Sequence, residues 1–166
     1  MTPTPNHHVT ARQVTSAAFA PFGDLLDARG TAEMVINQGM CHRHHDRARI
    51  DMGGGRIGVS VFDATPRHLP YQLDLMERHP LGSQCFMPMT EHPFLVTVAA
   101  DDHGKPAPPL AFLIPPHTGV NFHRNIWHGV LTPLHGPGLF AVIDRVAGDG
   151  VNLEEFLFPQ PYTIIA

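Results

Sequence analysis

The sequence predicts an all-β protein built as a barrel, and three observations lead to that class. Its 166 residues include 17 Pro and 15 Gly, which are spread along the whole chain and so separate many short elements. Between these breakers lie apolar runs of about four to eight residues, the usual length of a strand. Helical periodicity is poor. Because closing or doubling a sheet removes its exposed edges, short strands of this kind favour a barrel or jelly roll.

Six segments have strand character under the propensity and breaker rules. We expect a single domain over residues 1–166, because this length suits one hydrophobic core. The predicted strands are 57–62, 84–89, 94–99, 110–114, 126–131 and 139–144.

Two short segments carry helix signals. Thr15 or Ser16 can cap a helix over 16–20, and Asn152 can cap a single turn over 153–156. We therefore expect one or two short helices beside the barrel.

Composition and charge narrow the classes of function. Asp and Glu outnumber Lys and Arg by 15 to 11, which argues against a dedicated nucleic-acid or anionic-membrane binder. The longest apolar runs fall short of the about 20 residues that a membrane helix needs. With Cys41 and Cys85 as the two cysteines and no recognisable secretory signal, we expect a cytoplasmic protein. The thirteen histidines are compatible with metal binding, acid–base chemistry or neither.

The segment ERHPLGSQ, from Glu77 to Gln84, is the most informative. In extended backbone, Glu77 and His79 project from the same face. Residues 80–83 have turn composition, so a tight loop there would place His79 opposite Gln84 on a returning strand. The spacing E-x-H-x4-Q resembles the first metal-binding motif of cupins, and the segment 119–123 resembles the second.

By this resemblance, the fold is a cupin-like β-barrel, that is, a double-stranded β-helix or jelly roll. Two imidazoles, a carboxylate and an amide suit Ni²⁺ or another divalent metal, although no cofactor is certain. A hydrogen-bonded polar cluster without metal is the alternative. The four positions that correspond to cupin metal ligands are Glu77, His79, Gln84 and His123.

A second dense set of polar side chains lies at residues 121–128, around the single Trp of the chain. Donors beside a large apolar wall are typical of a small-molecule pocket. A core position for the Trp is the alternative. The candidate substrate-binding residues of this set are Asn121, Arg124, Trp127 and His128.

A third set combines INQG at 36–39 with RHHD at 43–46. The planar guanidinium of Arg43 can bind a carboxylate, and Asp46 can raise the basicity of the adjacent His45. A solvated surface loop is the alternative.

Four blocks together resemble the ureidoglycolate lyase family: INQGMCHRHHDRA at 36–48, MERHPLGSQCFMPM at 76–89, GVNFHRNIWHGVL at 119–131 and VIDR at 142–145. The resemblance implies a homodimeric, cupin-like enzyme that cleaves (S)-ureidoglycolate into glyoxylate and urea. This reaction belongs to the degradation of allantoin in purine metabolism, and its class is that of the amidine-lyases among carbon–nitrogen lyases. Stimulation by nickel is associated with the family.

The substrate ureidoglycolate is a carbinolamide with a carboxylate, so its lysis needs a base, an acid and a cation. We interpret His79 as the base, supported by Glu77, and His123 as the acid. A metal on the four cupin-like positions would instead lower the pKa of the substrate hydroxyl. Arg124 or Arg43 would bind the substrate carboxylate, and Gln84 or Asn121 would bind the ureido group.

Two other functions stay open at this point. One is a non-catalytic cupin-type binding protein for a small carboxylate. The other is a metal-dependent cupin oxygenase or isomerase, which would favour a fuller set of His and carboxylate ligands. Turnover of ureidoglycolate separates the lyase from the binding protein.

Overall fold

The computed structural model describes residues 7–166, and nearly all of their regular structure is β-strand. Helix is limited to one α-helical turn, α1 (Ser16–Phe19), and one 3-10 turn (Asn37–Gly39). No helix in this described range is long and apolar enough to cross a membrane. The strands, in chain order, are β1 (His8–Thr10), β2 (Arg12–Gln13), β3 (Gly23–Leu26), β4 (Met34–Ile36), β5 (Cys41–Arg43), β6 (Arg56–Ala64), β7 (Tyr71–Arg78), β8 (Gln84–Pro88), β9 (Phe94–Ala99), β10 (Asp101–Asp102), β11 (Lys105–Pro106), β12 (Leu110–Ile114), β13 (Gly119–Phe122), β14 (Trp127–His128), β15 (Thr132–Pro133), β16 (Gly138–Ala147) and β17 (Glu154–Ile165).

Two large sheets form the barrel. An eight-stranded sheet has the order β1-β17-β7-β14-β9-β12-β2, with β15 also paired to β9. A five-stranded sheet has the order β3-β13-β8-β16-β6. The chain changes sheet between β7 and β8, and again on either side of β13. This arrangement confirms the predicted all-β, cupin-like barrel.

Apolar side chains from both sheets fill the space between them. Val98 and Phe112 of the eight-stranded sheet pack in one cluster with Phe122 and Phe140 of the five-stranded sheet, and all four are buried. Phe19 of α1 joins them, with its ring centroid 6.0 Å from that of Phe112. Burial of such large side chains is the main favourable contribution to folding.

Most of the predicted elements are confirmed. The strands at 94–99 and 110–114 have the predicted bounds, and the segments at 57–62, 84–89 and 139–144 correspond to β6, β8 and β16. The predicted helix is α1, where the Thr15 hydroxyl accepts a hydrogen bond from the Ala18 N–H.

The prediction of a helical turn at 153–156 was wrong. Residues 154–156 are the first residues of β17, which pairs antiparallel with β7 and places Phe156 opposite Met76. The long-range ladder outweighs the local capping signal of Asn152, whose side chain instead accepts a hydrogen bond from the Leu81 N–H.

The predicted strand at 126–131 is interrupted. His128 pairs with Val98, and Thr132 pairs with Leu95. The chain therefore advances by four residues along this segment while β9 advances by three. One extra residue between two ladders is a bulge, which divides the segment into β14 and β15.

Candidate active site

Polar side chains converge between the two sheets near the ends of four strands. Glu77 of β7 is paired with His128 of β14, and Gln84 of β8 is paired with Asp144 of β16. Directly opposed residues of antiparallel strands point to the same face, and Gln84 also lies opposite the core residue Phe122. Glu77, His79, Gln84 and His128 are called the inner cluster below.

His79 lies in the loop by which the chain passes from β7 to β8. Its Nδ1 is 2.7 Å from the Asn152 carbonyl oxygen, and its Nε2 is 3.2 Å from Gln84 Oε1 and 3.9 Å from Glu77 Oε1. The expected hairpin between these strands was wrong, because β7 and β8 belong to different sheets. The loop nevertheless brings His79 to Gln84, as the sequence predicts.

The hydrogen bonds of Gln84 set the surroundings of His79. Gln84 Nε2 donates to Asp144 Oδ2 at 3.0 Å, which turns Oε1 toward the imidazole. Both ring nitrogens of His79 therefore face oxygen acceptors.

His128 is a buried neutral histidine whose ring stacks on Phe122 at a centroid distance of 4.3 Å. Its Nδ1 lies 3.0 Å from the Gly129 carbonyl oxygen, and its Nε2 is buried without a hydrogen-bond partner among residues 7–166. Burial, together with the nearby His79, lowers the pKa of His128 to about 3. The ring thus presents an unused lone pair, which is uncommon for a buried polar atom and suited to accept from a ligand.

Glu77 is a half-buried carboxylate beside His79. Burial raises the pKa of Glu77 against the opposing attraction of His79, and the neighbouring Glu155 raises it further. A carboxylate with a raised pKa is a stronger base than an ordinary glutamate. Glu77 is therefore a candidate proton acceptor.

The inner cluster also offers a donor set for a metal ion. Glu77, His79 and His128 each supply one ligand atom, and these atoms lie within 4.8 Å of one another. Two ligands at about 2.1 Å from one ion are at most about 4.2 Å apart, so the set would contract slightly around a metal. Two imidazoles and a carboxylate, one imidazole carrying a free lone pair, fit a borderline divalent cation.

The structure does not bring His123 to the inner cluster. Phe122 faces the core, and by alternation Asn121 points to the outward face of the five-stranded sheet, opposite Asp24 of β3. Asp24 Oδ2 accepts a hydrogen bond from Asn121 Nδ2 at 3.0 Å and lies 2.9 Å from His123 Nε2. Asn121 and His123 thus belong to a second group outside the barrel.

Arg124 lies beside this outer group. Its Nε donates to the Pro80 carbonyl oxygen at 2.6 Å, and its Nη1 is 3.7 Å from Asp51 Oδ2. Together with Arg49, Asp51 and His123, it lines an open cavity of about 190 Å³.

The two remaining predicted residues, Trp127 and Arg43, do not belong to the inner cluster. Trp127 is buried in a second core on the other face of the eight-stranded sheet, where its Nε1 donates to Asp101 Oδ1 at 2.9 Å. Arg43 is exposed in β5 and pairs in the ladder with Met34.

Sequence reasoning missed two residues that hold the inner cluster in place. Asp144 orients the Gln84 amide, and the backbone carbonyl of Asn152 binds His79. The alternation of the predicted strand at 139–144 could have placed Asp144 on the inward face. No local sequence signal places Asn152 beside His79.

The match of the whole chain to known proteins agrees with this architecture. A family model described as ureidoglycolate lyase matches residues 6–165. The chain belongs to the ureidoglycolate lyase family. The resemblance predicted from four sequence blocks is therefore confirmed over nearly the full length.

Several proteins named ureidoglycolate lyase are similar to this member of the family. One from Rhodobacter capsulatus is 54% identical over 152 residues, which are 91% of this chain and 94% of that protein. One from a Chelativorans species is 49% identical over 158 residues, covering 94% and 95% of the two chains. One from Mesorhizobium japonicum is 48% identical over 158 residues, covering 94% and 96%.

Proposed function

We propose that this protein is an enzyme that cleaves ureidoglycolate into glyoxylate and urea, an amidine-lyase reaction in the breakdown of allantoin. Membership of the ureidoglycolate lyase family supports the reaction. The inner cluster supports its location, because Glu77 and the doubly hydrogen-bonded His79 lie 3.9 Å apart between the sheets. Elimination of urea requires an acid and a base that can reach the same substrate.

In the proposed mechanism, Glu77 takes the proton of the substrate hydroxyl. The C–O bond becomes the aldehyde of glyoxylate as the C–N bond breaks, and the departing urea nitrogen receives a proton from His79. Transfer of the proton from Glu77 to His79 then restores both groups. The contacts of His79 with two acceptors favour this acid role over the base role assigned from the sequence.

Other predicted residues keep supporting roles in the proposal. The free lone pair of His128 would accept a hydrogen bond from a substrate N–H, and Gln84 would keep His79 in place through its contact with Asp144. Arg124 is our candidate for the substrate carboxylate, because it is anchored on Pro80, the residue after His79.

As an alternative to this acid–base mechanism, we propose that a divalent cation, with Ni²⁺ as the first to test, can bind Glu77, His79 and His128, which would then act as ligands and not as proton carriers. When bound, it would supply a positive charge that lowers the pKa of the substrate hydroxyl. Calorimetric titration of Ni²⁺ into the metal-free protein and into His128→Phe tests this set, with weaker binding expected for the variant.

Location and assembly are part of the same proposal. We place the enzyme in the cytoplasm, because its two cysteines, Cys41 and Cys85, are both free thiols. Following the family resemblance, we propose that it is a homodimer.

The activity is tested by measuring urea and glyoxylate released from ureidoglycolate by the purified protein. We expect equal amounts of both products, well above the amount released by spontaneous breakdown of the substrate. This result is expected both in the presence of EDTA and with added Ni²⁺. A thermal shift caused by ureidoglycolate without any product above background would instead indicate a binding protein.

A further inference from the structure

Arg78 is a largely buried cation between two residues of the inner cluster, and the proposed mechanism gives it no role. It is the last residue of β7, and its side chain is 13% exposed. Because side chains alternate along a strand, Arg78 lies on the opposite face of the eight-stranded sheet from Glu77. A charged group with so little exposure needs partners. The partners of Arg78 connect β7 to the strands on both sides of it.

Arg78 and three other side chains form one network on this face. Nε of Arg78 donates to Glu154 Oε2 at 2.6 Å, and its Nη1 donates to Asp101 Oδ1 at 2.7 Å. Its guanidinium carbon lies 4.4 Å from the centre of the Trp127 ring, within the range of a cation–π interaction. The same oxygen of Asp101 accepts from Trp127 Nε1 at 2.9 Å. Arg78, Asp101, Trp127 and Glu154 are called the back-face network below.

The contacts of the back-face network fix the direction of the Arg78 side chain. Hydrogen bonds from the Trp127 indole and the Gly104 N–H, together with the charge of Arg78, lower the pKa of Asp101 below its ordinary value. Asp101 is therefore ionised at neutral pH and attracts the guanidinium. A planar guanidinium that binds two carboxylates and stacks on an aromatic ring has little freedom to turn.

The inner cluster depends on how β7 lies against β14. Among residues 7–166, these two strands meet in one ladder pair, that of Glu77 with His128. Strand β14 consists of two residues, Trp127 and His128. Because side-chain pairs across neighbouring strands supply much of the stability of a sheet, one ladder pair on so short a strand needs support. The contact of Arg78 with Trp127 is such a pair, one step further along the same two strands.

Residues of the back-face network are chain neighbours of the inner cluster. Arg78 lies between Glu77 and His79 in the sequence, and Trp127 precedes His128. A displacement of Arg78 is therefore transmitted to both of its neighbours, and a displacement of Trp127 is transmitted to His128. The separations within the inner cluster, such as the 3.9 Å between His79 Nε2 and Glu77 Oε1, thus depend on contacts made on the other face of the sheet.

We propose that Arg78 and Trp127 are positioning residues, which hold the inner cluster at its reacting distances through the back-face network. Neither side chain contacts substrate, because both lie on the face away from the inner cluster. The inference rests on the function proposed for the inner cluster, and it gives Trp127 a role other than the substrate contact predicted from the sequence. Such support matters because a shift of about 1 Å in a reacting group can lower a rate about 100-fold.

Steady-state kinetics of urea release by the full chain test the proposal with two variants of β7. Arg78→Met removes the guanidinium and keeps an unbranched side chain. We expect its kcat to fall at least about tenfold while its KM changes less than about threefold, because reacting groups are displaced. The matched control is Gln72→Met. Gln72 also links β7 to β17, since its Nε2 donates to Thr163 Oγ1 at 3.0 Å, but it lies near the other end of β7. This control should keep the kcat of the wild type.

A second readout separates positioning from loss of stability. NMR spectra of the imidazole nitrogens report the surroundings of His79 and His128 without turnover. We expect both signals to shift in Arg78→Met and to stay in place in Gln72→Met. Circular dichroism melting confirms that each variant is folded at the assay temperature. If Arg78→Met does not fold, Asp101→Asn replaces it, because Asp101 is 45% exposed and its substitution opens no cavity. It should shift the same signals and lower kcat.

Arg78→Lys separates the geometry of the guanidinium from its charge. Lysine keeps the positive charge but lacks the planar fork that binds two carboxylates and stacks on Trp127. We therefore expect Arg78→Lys to have a kcat between those of the wild type and Arg78→Met.

Four results would overturn the role of Arg78. They are a folded Arg78→Met protein with the kcat of the wild type, imidazole signals that do not move in this variant, an equal loss of kcat in Gln72→Met, and an Arg78→Lys protein that equals the wild type. A wild-type protein that releases no urea would overturn the lyase proposal instead. The imidazole signals would still test whether Arg78 positions the inner cluster, so the two failures are distinguishable.

Discussion

At the scale of one residue, His128 combines the packing of a core aromatic ring with an unsatisfied polar atom. The ring packs like an aromatic core residue on Phe122, yet its Nε2 is buried without a partner among residues 7–166. An unsatisfied buried nitrogen costs about 1–3 kcal/mol of folding free energy. We infer that this cost is retained because the lone pair accepts a hydrogen bond from substrate.

Replacement of His128 by Phe tests this interpretation. The variant keeps an aromatic ring on Phe122 and removes the unpaired nitrogen, so its free energy of unfolding should stay within about 1 kcal/mol of the wild type. Its kcat/KM for ureidoglycolate should fall at least about tenfold, because the acceptor is lost. Urea denaturation and a urea-release assay measure the two effects. Unchanged kcat/KM would show that the lone pair has no part in the reaction.

Asp24 gives a prediction about pH and stability. Although partial burial opposes it, hydrogen bonds from the Arg49 N–H, Asn121 and His123 lower the pKa of Asp24 below its ordinary value of 3.8. Because the pKa is lower in the folded state, the ionised Asp24 stabilises the fold at pH values above 3.8. This contribution is lost as the pH falls through the folded-state pKa. Asp24→Asn should therefore be less stable than the wild type at pH 7 by about 1 kcal/mol.

The difference between Asp24→Asn and the wild type should shrink once the pH drops below about 3.8. Chemical denaturation at pH 7 and at several acidic pH values measures it. The control is Asp102→Asn, whose carboxylate is 68% exposed. A constant difference at all pH values would contradict the charge-based explanation.

At the scale of elements, the single turn α1 contributes to the barrel through one side chain. Phe19 is fully buried, with ring centroids 6.0 Å from Phe112 and 6.2 Å from Phe122. A single helical turn is too short to be stable by itself, so its packing against the barrel stabilises it. Its N-cap at Thr15 adds about 1 kcal/mol.

Phe19→Ala should lower the free energy of unfolding by about 3–5 kcal/mol, because it opens a cavity between the two sheets. Thr15→Ala should cost about 1 kcal/mol by loss of the cap alone. Equilibrium denaturation of both variants gives the comparison. Equal losses would mean that the helix, rather than the aromatic contact, determines the effect.

Strand β7 was not predicted from the sequence although it carries Glu77. Its pattern does alternate, with Tyr71 and Leu73 buried and Gln72 and Asp74 exposed. The predicted strands were instead apolar runs, which suited β9 and β12 because both faces of those strands are buried. Strand β17 was missed because its residues 154–165 gain their conformation from pairing with β7.

At the scale of the whole molecule, composition and breaker spacing predicted the barrel, but the sequence predicted the site only in part. Glu77, His79 and Gln84 lie close together because they adjoin one loop. His123 was grouped with them by motif spacing, and the structure places it with Asp24 instead. The sheet face on which a side chain lies depends on strand register, which the spacing of residues in the sequence does not determine.

The inner and outer groups can be separated by one measurement of urea released from ureidoglycolate. The account predicts that His79→Ala lowers kcat/KM at least about 100-fold, as expected for loss of a general acid. His123→Ala should retain most of the activity, and the fully exposed His103→Ala should equal the wild type. If His123→Ala loses nearly all activity while His79→Ala stays active, the account is contradicted, and the catalytic centre lies on the outward face.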